Sequence, residues 1–188
     1  HGGYLQGFNL QVIVDGTQIL LGVDTHDSPT DTQALHPMLR LTRTNLDAAG
    51  VDTPIGAALF DAGFASNDNF TAACPDEQTT LYVAVTKEAR QTGRLSDHPP
   101  HELKIESWRQ MRARLDTDEG RALYKQRGSL VEPVFGQLFA RLGRHLNYRG
   151  PGAHTELDLW AISHNLGKII KNRVRTAAAP ILTPPQAA

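Results

Sequence analysis

The chain has 188 residues, 40% of them apolar, and a formal net charge of −1, the profile of one ordinary globular domain with one sizeable core. Its single cysteine, Cys74, excludes an intrachain disulfide and any zinc site built on several cysteines. No apolar run approaches the roughly 18 residues of a membrane span and nothing reads as a signal peptide, so the expected location is the cytoplasm.

The chain starts at His1 rather than Met, in a Gly-rich stretch, which reads as the start of a fragment. From Phe8 to Val14 apolar and polar residues alternate and then turn apolar, as in a half-buried strand. Asp15-Gly16 is a hairpin-turn dipeptide, and Gln18 to Val23 is the returning strand. Asp24 to Asp31 is polar and contains Pro29, a loop. Asp31 or Thr32 caps a helix reaching about Leu46, with Pro37 shifting its start towards His36. Gly56 to Asp61 is a short buried strand that delivers Asp61 at its C-terminal end, where α/β sheets place their chemistry. A structural Asp capping the next turn is the competing reading. Ser66-Asn67-Asp68 caps a short helix over Asn69 to Ala73, and Thr80 to Val85 is another buried strand.

Lys87 to Ser107 reads as a polar loop; its His98 and His101 lack the helical spacing of a metal pair. Trp108 to Leu115 is a basic helix. Asp116 to Gly120 breaks it and caps the next, which extends to about Leu142. That helix carries Tyr124, Arg127 and Glu132 beside an apolar stripe of Leu123, Leu130, Val134 and Leu138. A Glu next to a packed face costs desolvation energy unless an Arg, a hydrogen-bond donor or a divalent metal binds it. The plain alternative is an internal Glu–Arg ion pair. His145 to Pro151 is a basic turn. Thr155 to Lys171 is a helix whose end holds Lys168, Lys171, Arg173 and Arg175. The expected organisation is one domain over residues 1–175 and an Ala/Pro-rich disordered tail over 176–188. The element order fits an α/β layer architecture. Charge is uneven: residues 1–103 hold five Lys/Arg against thirteen Asp/Glu, and residues 104–188 hold fourteen against seven. That pattern suits a carboxylate site joined to a polyanion-binding face, or simply two solvated faces of opposite sign.

Four stretches carry a resemblance. Tyr124, Arg127 and Glu132, followed by Pro133-Val134-Phe135-Gly136-Gln137, resemble the third-carboxylate region of bacterial insertion-sequence transposases of the DDE superfamily. The match is to a branch with four residues between Arg and Glu, where the commonest signature has three. Tyr4-Leu5-Gln6-Gly7-Phe8-Asn9-Leu10-Gln11 resembles their second-strand motif. Asp61-Ala62-Gly63-Phe64 resembles the Asp-Ala-Gly-aromatic motif that carries their second catalytic Asp. His164-Asn165-Leu166 resembles the closing motif. Each is weak alone; four in order, over about residues 2–171, are strong. The resemblance implies an RNase H-like α/β fold, a mixed sheet flanked by helices, here lacking its first strand and the first catalytic Asp upstream of the second-strand motif. Asp15-Gly16-Thr17 superficially resembles the first-Asp motif, but it follows the second-strand motif and is placed at the hairpin turn.

The implied activity is DNA transposition: DNA cleavage at transposon ends and strand transfer, with three carboxylates holding two Mg²⁺ or Mn²⁺ ions. Asp61 and Glu132 are then the catalytic metal ligands, and Tyr124 and Arg127 hold a phosphate. Arg149, Lys168, Lys171 and Arg173 track the DNA backbone. The partners are transposon-end and target DNA, with homodimerisation left open and no membrane. With two of three carboxylates, the isolated chain is expected to be inactive or nearly so. The alternative is a catalytically inactive DNA-binding remnant. Less favoured are an RNase H-like nuclease unrelated to transposition and an interaction domain in which Glu132 is only an ion-pair partner.

Overall fold

The computed structural model describes residues 9–26, 30–85, 105–143 and 145–177. Its first elements are β1 (Asn9–Val14) and β2 (Leu20–His26), an antiparallel pair with Val12 opposite Val23. The Asp15 carboxylate builds the turn between them: Oδ1 accepts from the backbone N–H groups of Thr17 and Ile19, each at 2.8 Å. Gln18 in this turn has a φ of 67°, the left-handed region.

A 3₁₀ turn over Asp31–Gln33 leads into α1 (Leu35–Ala48). Pro37 is tolerated because it lies in the first helical turn, where backbone N–H groups have no helical acceptor. β3 (Ala57–Phe60) and β4 (Thr80–Val83) form a parallel pair. Between them lie a 3₁₀ turn over Ala62–Phe64 and α2 (Asn67–Thr71). Ser66 caps α2 by accepting from Asn69 N–H at 3.1 Å, so the helix starts at Asn67, two residues before the predicted start.

Three helices follow: α3 (Glu106–Leu115), α4 (Asp118–Leu142) and α5 (Pro151–Ala177). The hydroxyl of Thr117 caps α4 through Gly120 N–H at 2.9 Å. Gly120 is required there, because a Cβ on it would stand 2.1 Å from the Arg114 carbonyl oxygen. Pro151 occupies the first position of α5, which its fixed φ favours, so the helix opens four residues before the predicted Thr155. It also runs on to Ala177, past the onset of Ala/Pro-rich composition; residues 178–188 lie outside the described residues. So do residues 86–104, with His98 and His101, and the Tyr4–Phe8 part of the second-strand motif.

The strands form two separate two-stranded sheets rather than one continuous sheet. Helices bridge them. Leu35 and Leu39 of α1 pack in one cluster with Ala58, Phe60, Leu81 and Val83 of the β3–β4 pair, and Ile13 of β1 joins it. On the other face, Val134 and Leu138 of α4 and Trp160 of α5 pack with Leu20, Val12 and Val23 of the hairpin. The result is a mixed α/β architecture, small sheets covered by helices on both faces, in agreement with the expected RNase H-like class. No described helix is long and apolar enough to cross a membrane.

Candidate active site

Asp61 follows directly on β3, and both of its carboxylate oxygens are engaged. Oδ1 accepts from Gly63 N–H at 2.9 Å, capping the 3₁₀ turn. Oδ2 accepts from Nη2 of Arg127 at 2.9 Å. The capping role and the charged partner therefore coexist in one side chain. One turn earlier on α4, the Tyr124 hydroxyl donates to the Phe60 carbonyl at 3.1 Å. Tyr124 and Arg127 share a face at a spacing of three and together clamp the end of β3 against α4. Arg127 is largely buried and the Asp61 side chain about 38% exposed, so the pair sits at the mouth of a cleft rather than in bulk solvent.

A second carboxylate stands beside the first. A Cβ built on Gly63 would lie 2.9 Å from Oδ2 of Asp31 and 3.0 Å from Oδ1 of Asp61, which puts those two oxygens within about 6 Å of each other. A side chain at position 63 would push one of these carboxylates aside. Asp31 is held in turn by the amides of Asn9 and Gln11, the latter at 2.8 Å from Oδ1. Asn9 and Gln11 are two apart on β1, so they project to the same face. The sequence had marked Asp31 only as a helix cap. The alternation of two side-chain amides at the start of β1 was the available signal that this face needed an acceptor.

Glu132 is placed differently. It is exposed and does not line the cleft, whereas Arg127, Leu130, Val131 and Phe135 do. Its carboxylate lies back over its own helix, with Oε1 3.3 Å from where a Cβ on Gly128 would be. Helix phase explains this. Residues five apart are rotated by about 140°, so a four-residue spacer turns Glu132 off the face of Arg127 and puts Val131 there. The same rotation removes the internal Glu–Arg pair, and Arg127 reaches across to Asp61 instead. The Asp61 carboxylate is occupied by Arg127 and Glu132 lies outside the cleft, so the donors as arranged do not fit a divalent ion. Among the described residues no group of three or more His, Cys, Asp or Glu could hold a metal.

The basic residues fall into two places. Lys168 and Lys171 are on the late turns of α5, with Arg141 from the end of α4 close by: its Nη1 would be 3.3 Å from a Cβ on Gly167. Partial burial lowers the Lys168 pKa, and the charges of Lys171 and Arg141 lower it further. Lys168 also donates to the Gln18 side chain at 2.6 Å. Arg173 is exposed one turn beyond. Arg149 precedes α5, so roughly 25 Å of helix separates it from Lys168. Arg141 was not anticipated; it becomes part of the cluster only because α4 and α5 pack together.

The closing motif has a structural reason. Nε2 of His164 bonds the Gln18 carbonyl at 2.9 Å. The Asn165 amide makes a two-point contact with Leu20, accepting from its N–H and donating to its C=O, both at 2.8 Å. At the other end of α5, burial alone would raise the Glu156 pKa. Hydrogen bonds from Tyr148 N–H and from the side chain and N–H of Asn147 outweigh it and hold the group below the usual glutamate range.

Comparison with protein families matches residues 86–170 to a family described as transposase DDE domain. Over those residues the chain is similar to the transposase DDE domain. The match holds Tyr124, Arg127, Glu132 and the His164-Asn165-Leu166 motif, and it leaves Asp61 and the hairpin motif outside. No curated protein and no solved structure matches the chain.

Proposed function

We propose that the chain serves in DNA transposition, as the part of a DDE transposase catalytic domain that supplies two of its carboxylates and a DNA-binding face. The observation that carries this reading is the clamp of Tyr124 and Arg127 on Phe60 and Asp61. It joins a helix inside the family match to an Asp-Ala-Gly motif outside it. In this reading Asp61 and Glu132 are the catalytic carboxylates, and Mg²⁺ or Mn²⁺ is the ion they take when the site is complete. Arg127 holds Asp61 in place and is the guanidinium nearest to an incoming phosphate. Lys168, Lys171 and Arg173, with Arg141, form the face that meets the DNA backbone, and Arg149 makes a separate contact.

The motif for the first catalytic Asp is not recognised in these 188 residues, and the expected activity of the chain alone is nil or nearly so. The inactive DNA-binding remnant is the second reading, favoured by the Arg127–Asp61 pair and by the outward position of Glu132. The discriminating experiment is a Mg²⁺-dependent DNA nicking assay with Glu132→Asp and Glu132→Gln variants in a chain completed with the upstream motif. Loss of nicking in both variants supports the catalytic reading. Full activity in both would leave Glu132 without a catalytic part.

A further inference from the structure

We propose that the outer face of α5 is a self-association surface, on which a second copy of this chain packs its own α5 antiparallel about a two-fold axis. Helix α5 is apolar on two sides. One side belongs to the core: Leu157, Trp160 and His164 are buried, and Trp160 packs with Leu20 of the hairpin and with Val134 and Leu138 of α4. The other side carries Leu159, Ile162, Leu166 and Ile169, with Ile170 on its flank, each between 44% and 60% exposed. Ile162, Leu166 and Ile169 are turned by about 120–180° from Trp160, so they face away from the body of the molecule. Among the described residues eight large apolar side chains are exposed, and five of them lie on this one stripe, which makes it a patch rather than scatter. A helix apolar all round is one that is covered all round.

Spacing names the occupant. Leu159, Ile162, Leu166 and Ile169 follow at intervals of three, four and three, the seam of a heptad pattern, and such a seam takes another helix of the same spacing. The interval pattern reads the same in both directions. A copy laid antiparallel therefore sets Leu159 against Ile169 and Ile162 against Leu166, each twice by symmetry, which is the self-complementary contact of a two-fold pair. Charge fixes the direction. The next seam position after Ile169 is the exposed Arg173, and parallel copies would stack it on its own duplicate. Antiparallel copies place it at the rim, over Thr155 and about one turn from the exposed Asp158. The five apolar side chains expose on the order of 500 Å² per copy, so a pair buries about 1,000 Å², the lower end for a specific interface and the range of a reversible dimer. Lys168 and Lys171 are turned by about 160° and 140° from Leu166, so pairing leaves the cation cluster uncovered.

The test uses the whole chain without DNA or divalent metal, so its outcome is independent of the catalytic reading. Sedimentation equilibrium is run over a concentration series on the chain, on Ile162→Glu, on Leu166→Lys and on an equal mixture of the two variants. Both positions are more than half exposed in one copy, so the substitutions leave the fold intact, which far-UV circular dichroism checks. A Leu159→Ser, Ile170→Ser double variant replaces either one that loses helicity. The expected result is a reversible dimer with a Kd of about 10 µM. Either substitution alone weakens it at least about thirtyfold, as expected for a charge set into an apolar seam. Mixing the two variants restores it, because antiparallel packing brings position 162 of one copy to position 166 of the other and pairs the introduced charges; a parallel pair would set 162 on 162 and gain nothing. A chain that stays monomeric up to about 200 µM, a dimer indifferent to the substitutions, or a mixture no more associated than its components would each overturn the proposal.

Discussion

At the scale of single residues, the candidate site is a problem in placing charge. Asp61 was legible as the end of a short apolar run, with a structural cap as the competing reading, and the family resemblance, not the helical pattern, singled out Tyr124 and Arg127. Their junction was not legible, since it joins residues more than sixty positions apart, and neither was Asp31, whose carboxylate depends on two amides from another strand. Glu132 shows the limit of a motif: with four residues between it and Arg127, the helical phase carries it off the Arg127 face and out of the cleft. Arg127→Ala should lower stability by about 1–2 kcal/mol, because it breaks a charged hydrogen bond at the end of β3, as denaturant unfolding would show. Glu156 gives a pH dependence with a definite sign. Its lowered folded pKa means that the stabilisation is complete above the ordinary glutamate value of about 4.3 and is lost as pH falls through the folded value. Glu156→Gln should flatten that acid limb of the stability profile, and an unchanged limb would assign it to other carboxylates.

At the scale of elements, boundaries were readable to within a few residues wherever a cap or a proline marked them, as at Ser66 and Pro151. What composition did not convey is how elements fasten to each other. Pro133 sits inside α4 and has no N–H for the Ser129 carbonyl four residues back. Gln18, at the tip of the hairpin, donates to that carbonyl at 3.2 Å and also bonds Lys168 and His164 of α5. One left-handed turn residue thus ties the hairpin to both long helices. The junction of α3 and α4 is equally specific. Gly120→Ala should destabilise by about 2 kcal/mol or more, measured as a fall in thermal midpoint, because the added methyl meets backbone rather than a movable side chain.

At the scale of the whole molecule, the α/β class and the order of elements followed from hydrophobic period and turn residues, while the division into two sheets did not. An inner strand edge is invisible in a linear pattern: β1 read as a half-buried strand and β3 as a buried one, and only their placement shows that both line one cleft. The uneven charge along the chain resolves into a cation cluster where α4 meets α5, at the opposite end of α5 from Arg149. The most direct test of the account is the salt dependence of DNA binding by the whole chain and by its Lys168→Ala, Lys171→Ala double variant, followed by fluorescence anisotropy. The variant should bind more weakly, and the slope of log K against log salt should flatten by about 2, the loss of two phosphate contacts. Equal affinity and slope for the two proteins, or no binding of DNA by either, would contradict it.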